Sequence, residues 1–269
     1  LRKDPMAMQR LKDEAEKARC LLHRIADAME QRRDELARWL SLDQGKPHKA
    51  EAVGEVGEAI EYFRIAAEDI KRLETNVIPS ASKNKLVFTL RVPRGAYAVI
   101  TPWNWPLTMA TEVIAPALAG GNTVVWAPAT STSAISVKLM ECLATADLPD
   151  GAVNLVTGPG SVVGDEIAGH PLIAGVGFVG STETGRSVAR RAAGRHVMLE
   201  LGGNGPIVIV DYAAIPRAIE GTMPGSFLFA VRRCNSGAGL PGHPASAQGF
   251  APGTEHRTQL LTRGSPLTA

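Results

Sequence analysis

Cysteine, aromatic side chains and excess charge of either sign are all scarce in this chain. Three cysteines, Cys20, Cys142 and Cys234, are too few and too widely spaced for a disulfide scaffold. They point to a reducing compartment, read as the cytoplasm. Aromatics make up 5% of residues, which counts against base-stacking platforms, and 29 basic against 27 acidic side chains leave no electrostatic footprint for nucleic acid. The longest apolar run, 113–129, is broken by Pro116, Gly120, Gly121, Asn122 and Pro128, so no span of a bilayer is expected. The opening Leu1-Arg2-Lys3-Asp4-Pro5 has no apolar signal core and no initiator Met. Six histidines (23, 48, 170, 196, 243, 256) show no ligand spacing, and no metal is expected. What is present is a 45% apolar chain of 269 residues, enough for one large domain or two small ones.

The first seventy residues read as two packed surface helices. Leu11, Ala15, Ala18, Leu22, Ile25, Met29, Leu36 and Leu40 form one amphipathic series, stopped by Gly45 and Pro47. Val53, Val56, Ile60, Phe63, Ala67, Ile70 and Leu73 form the second. From Lys85 strands are expected at 86–91, 96–100, 123–126, 153–156, 172–179, 197–201 and 207–210. Helices are expected near 108–119, 131–146, 161–168 and 184–193. This alternation predicts an α/β fold, a doubly wound and mostly parallel sheet with helices on both faces and ligands beyond the carboxyl ends of its strands. Residues 235–269 hold six Gly and four Pro and no Val or Ile, which predicts a tail that is disordered or non-native in origin after an ordered unit over 1–234.

Gly175-Val-Gly177-Phe-Val-Gly180 matches a dinucleotide fingerprint by letter, but it lies inside a strand rather than in a turn, and it is rejected. Gly180-Ser181-Thr-Glu-Thr184-Gly185 leaves a strand and opens a helix, where free amides hold a phosphate; a plain capped helix is the alternative. Gly158-Pro-Gly160-Ser-Val-Val-Gly164 is a second such turn. Thr101-Pro102-Trp103-Asn104-Trp105-Pro106 follows a strand as a loop held rigid by its two prolines, and its Asn amide is either an oxyanion donor or a packing group. Glu200 ends an apolar strand, where burial would raise its pKa toward that of a general base. Cys234 lies 34 residues further on, beside Arg232 and Arg233, whose charge favours thiolate. Together Cys234, Asn104 and Glu200 supply a nucleophile, an oxyanion donor and a base that activates water.

In their order and spacing, Thr-Pro-Trp-Asn, Gly-Asn-Thr-Val-Val-Trp at 121–126, Gly-Ser-Thr-Glu-Thr-Gly and Glu-Leu-Gly-Gly resemble the aldehyde dehydrogenase superfamily, over roughly residues 10 to 234. The resemblance implies an oxidoreductase that converts an aldehyde to a carboxylic acid with NAD or NADP. Cys234 would be the nucleophile, Asn104 the oxyanion donor and Glu200 the base. Thr101, Pro102, Trp103, Asn104, Gly160, Gly164, Gly180, Ser181, Thr184, Gly185, Leu201 and Gly202 would line the cofactor.

Several positions depart from the family pattern. Ala127 stands where the family carries a ribose-binding Lys, a loss of roughly tenfold or more in affinity. Thr130, where NAD-preferring members often carry Glu, admits a 2′-phosphate. Val231 and Arg232 replace a Gly and a Gln ahead of the nucleophile. The family's catalytic half and its subunit-joining strand are expected to be missing after Cys234, through a break in the reading frame. Family members homo-oligomerise, but without that strand poor solubility and an inactive or weakly active chain are expected. The alternative function is a remnant that at most binds nucleotide weakly.

Overall fold

A computed structural model of the chain describes residues 5–73, 76–262 and 264–267. The opening residues 1–4, the last two residues of the tail, and 74, 75 and 263 lie outside it, as do the side chains of 5–13 (with Leu11), Ala230 and Val231.

The amino-terminal helical region contains three α-helices rather than two: α1 (Pro5–Gln31), α2 (Arg33–Gln44) and α3 (Val53–Asp69). The first expected helix breaks at Arg32, whose guanidinium bonds both Glu35 and Glu141, while Asp34 and Glu35 open α2 with charge suited to a helix start. These are not surface helices. Leu22, Ile25, Met29, Leu36, Leu40, Ile60 and Phe63 are fully buried or nearly so, in one core with the sheet. Gly45 caps α2 in the left-handed region (φ 84°) and turns the chain inward at Lys46.

A short antiparallel hairpin, β1 (Val77–Ile78) with β2 (Val87–Phe88), follows and is exposed on both strands. The strand expected at 86–91 shrinks to these two residues because it is a solvated ribbon with no sheet to join. The central sheet holds β3 (Ala96–Ile100), β4 (Thr123–Ala127), β5 (Val153–Leu155), β6 (Ile173–Val179) and β7 (His196–Glu200). All pairings in it are parallel and the order is β5-β4-β3-β6-β7. Between these strands lie α4 (Thr108–Ala119), α5 (Ser133–Ala144), α6 (Asp165–Gly169) and α7 (Thr182–Arg191).

Adjacent residues point to opposite faces, and each face has its own core. Val99, Val124, Trp126 and Val179 pack with α1–α5, whereas Ala98, Ala127, Val176 and Phe178 pack with α6 and α7. The glycines of the rejected fingerprint sit in β6 as packing sites: a Cβ on Gly175 would strike the Tyr97 ring, and one on Gly177 would strike Val113. Chain order reverses direction between β3 and β6, and a crevice opens there at the carboxyl ends.

Beyond the sheet, the strand expected at 207–210 is displaced to β8 (Gly205–Pro206), followed by α8 (Ile215–Phe227). The tail carries β9 (Gly237–Gly239) and α9 (Pro244–Gln259), where disorder was expected. β9 pairs parallel with β8, and the ladder continues as Ile207 N–H to Gly239 O, Ile209 N–H to Pro241 O and His243 N–H to Ile209 O, each 2.9 Å. Composition misled here because an edge pairing is built from main-chain bonds and needs little apolar side chain. Phe250 and Ser246 bury where α9 packs on α8.

Candidate active site

The loops leaving β3, β6 and β7 enclose a cavity of about 790 Å³ at that crevice. Thr101 to Trp105 form one wall, Gly180, Ser181 and Thr184 a second, and Glu200 to Gly203 a third. Arg232 to Asn235 close it. Asn104, Glu200 and Cys234, which are 130 residues apart at the extremes, thus line one cavity. A second cavity of about 490 Å³ adjoins it through Ile100, Thr101, Phe178 and Thr184. It is lined by Ala127 at the end of β4 and Thr130 beyond it, by Gly160 and Gly164 after β5, and by Ser187, Val188 and Arg191 of α7. Gly185 faces neither cavity. A Cβ on it would collide with Leu201, so its role is close packing of α7 on the loop after β7.

Local chemistry sets each wall. The Trp126 indole N–H donates to Thr101 Oγ1 at 2.9 Å, so the core of the sheet anchors the first loop. Ser181 caps α7: its Oγ accepts from the Thr184 amide at 3.2 Å, and the earlier amides of this helix have no intrahelical carbonyl to bond. Gly180 N–H donates to Glu200 O at 3.0 Å and ties the second wall to the third. A Cβ on Gly203 would collide with the backbone oxygen of Cys234, so only glycine permits this approach.

Two expectations change. Glu200 is exposed rather than buried, because β7 is an edge strand with its end open to the cavity mouth. The guanidinium groups flanking Cys234 are directed elsewhere: Arg233 donates to Pro224 O and Gly225 O (3.1 and 2.9 Å), and Arg232 lies 5.2 Å over the Trp103 ring. Cys234 itself is exposed. The Asn104 amide donates to Arg232 O at 2.7 Å, which leaves its second N–H for another acceptor.

Four residues at or beneath the cavity went unremarked in the sequence. Glu112 of α4 lines the wall, and burial together with the neighbouring Glu200 pushes its carboxyl pKa up. Thr108 is buried at the cavity with its hydroxyl unpartnered, a place for a polar ligand atom. Below them Lys46 and Glu55 form an ion pair with fully buried side chains. Burial pulls Lys46 down to about 8 and pushes Glu55 up, each opposed by its partner's charge. The helical period placed Glu55 and Glu112 among ordinary polar positions, and Lys46 stood in a turn. Among the described residues no group of His, Cys, Asp and Glu could hold a metal ion, and no helix is long and apolar enough to cross a membrane.

The sequence profile of the aldehyde dehydrogenase family matches residues 7–269. The match therefore runs on past Cys234, where the resemblance was expected to stop. The chain is 38% identical over 248 residues to the alpha-ketoglutaric semialdehyde dehydrogenase of Bacillus subtilis, covering 91% of this chain and 51% of that protein. It is also 38% identical over 216 residues to the NADP(+) succinate-semialdehyde dehydrogenase of Escherichia coli, covering 80% of this chain and 45% of that one. In structure it matches an NAD-dependent aldehyde dehydrogenase from Sinorhizobium meliloti with a TM-score of 0.90 at 33% identity, over 94% of this chain and 51% of that one. The chain spans about half the length of the curated relatives it matches. With its parallel sheet, its crevice and these matches, the chain belongs to the aldehyde dehydrogenase family.

Proposed function

We propose that this chain carries the cofactor-binding region and the nucleophile of an NAD(P)-dependent aldehyde dehydrogenase. The observation behind this is the single groove that joins Cys234, Asn104 and Glu200 to a second cavity floored by glycine turns. The groove suits a dinucleotide. Gly160 and Gly164 present no side chain, the start of α7 presents amides to a pyrophosphate, and Thr108 offers an unused hydroxyl. Thr101, Pro102, Trp103, Gly180, Ser181, Thr184, Leu201 and Gly202 would hold the cofactor, with Gly185 acting behind Leu201. Thr130, its hydroxyl bonded to Gly158 O at 3.0 Å, leaves room for NADP as well as NAD.

When bound, the nicotinamide would supply the two-electron acceptor that takes the aldehyde hydrogen as hydride. The rest belongs to the chain. The Cys234 sulfur forms a bond to the aldehyde carbon, and the carbonyl oxygen takes negative charge opposite an N–H of Asn104. After oxidation the acyl group sits on Cys234. Glu200 takes a proton from water, the water oxygen attacks the acyl carbon, the C–S bond breaks, and a carboxylic acid leaves. Solvent exposure of Glu200 suits this step, since its carboxylate is open to water where it lines the cavity.

The second reading, weak nucleotide binding without turnover, is favoured by Ala127, which provides no cation of its own at the second cavity, where Arg191 is already paired with Asp165. Aldehyde-dependent formation of NADH or NADPH separates the two. Turnover that is lost in Cys234→Ala, with dinucleotide binding retained by calorimetry, supports dehydrogenation. Binding without turnover at any aldehyde concentration supports the second reading.

A further inference from the structure

Beneath the active-site loop, Lys46 and Glu55 are fully buried charges that the proposed chemistry leaves unused. Glu55 Oε1 accepts from the amides of Leu107 and Thr108 at 3.0 and 3.3 Å and so holds the start of α4. The Lys46 ammonium donates to Asn104 O at 3.2 Å. It also lies 3.2 Å from the Phe229 ring centroid and 4.6 Å from that of Trp105, and these two rings stack at 4.1 Å. Glu51, one turn before Glu55, accepts from the Phe229 amide at 3.3 Å. Asn104 then donates to Arg232 O, two residues before Cys234.

We propose that Lys46 and Glu55 are positioning residues that clamp the Asn104 loop and the 228–231 turn together, and so set the Asn104 amide relative to Cys234. Burying two charges is costly, and a neutral pair of like size would serve packing as well or better. The ammonium adds something that a neutral pair lacks: one cation that bonds a loop carbonyl and faces two rings from two different segments. It contacts both the loop carrying Asn104, through the Asn104 carbonyl, and the turn leading to Cys234, through the Phe229 ring. Glu51 and Glu58 add negative charge around the ammonium and favour its charged form.

The inference rests on the dehydrogenase reading, but its first test does not. The double variant Lys46→Met with Glu55→Gln strands no charge and keeps an oxygen for the Leu107 and Thr108 amides. It is compared with the parent chain by thermal unfolding and by hydrogen exchange read by mass spectrometry. The clamp predicts an unfolding midpoint near the parent's, with peptides covering 101–107 and 228–236 exchanging about tenfold faster and those from β6 unchanged. Parent-like exchange in both segments would overturn the clamp and leave a structural ion pair. Steady-state kinetics adds a second readout: kcat for aldehyde oxidation falls by about tenfold while the dinucleotide Kd stays the same. A kcat equal to the parent's also overturns the proposal. Absence of turnover in the parent would instead sink the dehydrogenase reading, while the exchange result still decides the clamp.

Discussion

Glu112 of α4 lines the first cavity, near enough to Glu200 to feel its charge. Burial and that repulsion raise its pKa above 4.5, so ionising it costs more in the folded chain than in the unfolded one. A raised carboxyl pKa means that the folded state holds its proton longer. Stability is then lost as pH climbs from 4.5 through the folded value. Glu112→Gln is expected to leave the thermal midpoint at pH 4 almost unchanged and to raise stability at pH 7 to 8. The gain is small, because the group is partly solvated. A loss of stability at neutral pH would contradict this. At the same scale, Cys234, Glu200 and Asn104 could be picked out by residue type and by their position after strands. Their surroundings could not. Glu200 looked buried because its strand is apolar, whereas exposure depends on whether another strand covers the edge of β7.

Among the elements, the pairing of β8 with β9 shows how glycine turns a poor sequence into structure. A Cβ on Gly237 would strike the Ile207 side chain and crowd Ser226 Oγ, so the ladder closes only with hydrogen there. Gly237→Val is expected to destabilise this unit by about 1–3 kcal/mol through overpacking. It should speed exchange at the amides of Ile209 and His243 and leave the β3–β6 amides protected. Unchanged exchange at both would mean that the ladder does not form in solution. The helices of the sheet were legible because their apolar residues recur at helical spacing; α4 spans the expected 108–119. The tail was not legible, since main-chain pairing has no side-chain period.

For the whole molecule, the exposed hairpin arm is the least settled surface. Val77, Ile78, Leu86, Val87, Phe88, Leu90 and Val92 are all exposed along one stretch, more apolar surface than an isolated ribbon can solvate comfortably. The chain is expected to associate as its concentration rises. Phe88→Lys combined with Leu90→Lys should shift sedimentation toward the monomer without moving the thermal midpoint of the core. Sedimentation identical to the parent's would place association elsewhere. Taken alone, the order of residues determined the α/β alternation, the strand ends at 100 and 179 and, to within one residue, the end at 200, and the residue types placed near them, because apolar period and turn chemistry are local. Tertiary structure alone decided that Lys46, Asn104 and Arg232 form one hydrogen-bonded series, that Glu200 faces water, and that a glycine-rich tail docks. Those outcomes depend on which distant segments the reversal at β3 and β6 brings into contact, and no local pattern encodes that.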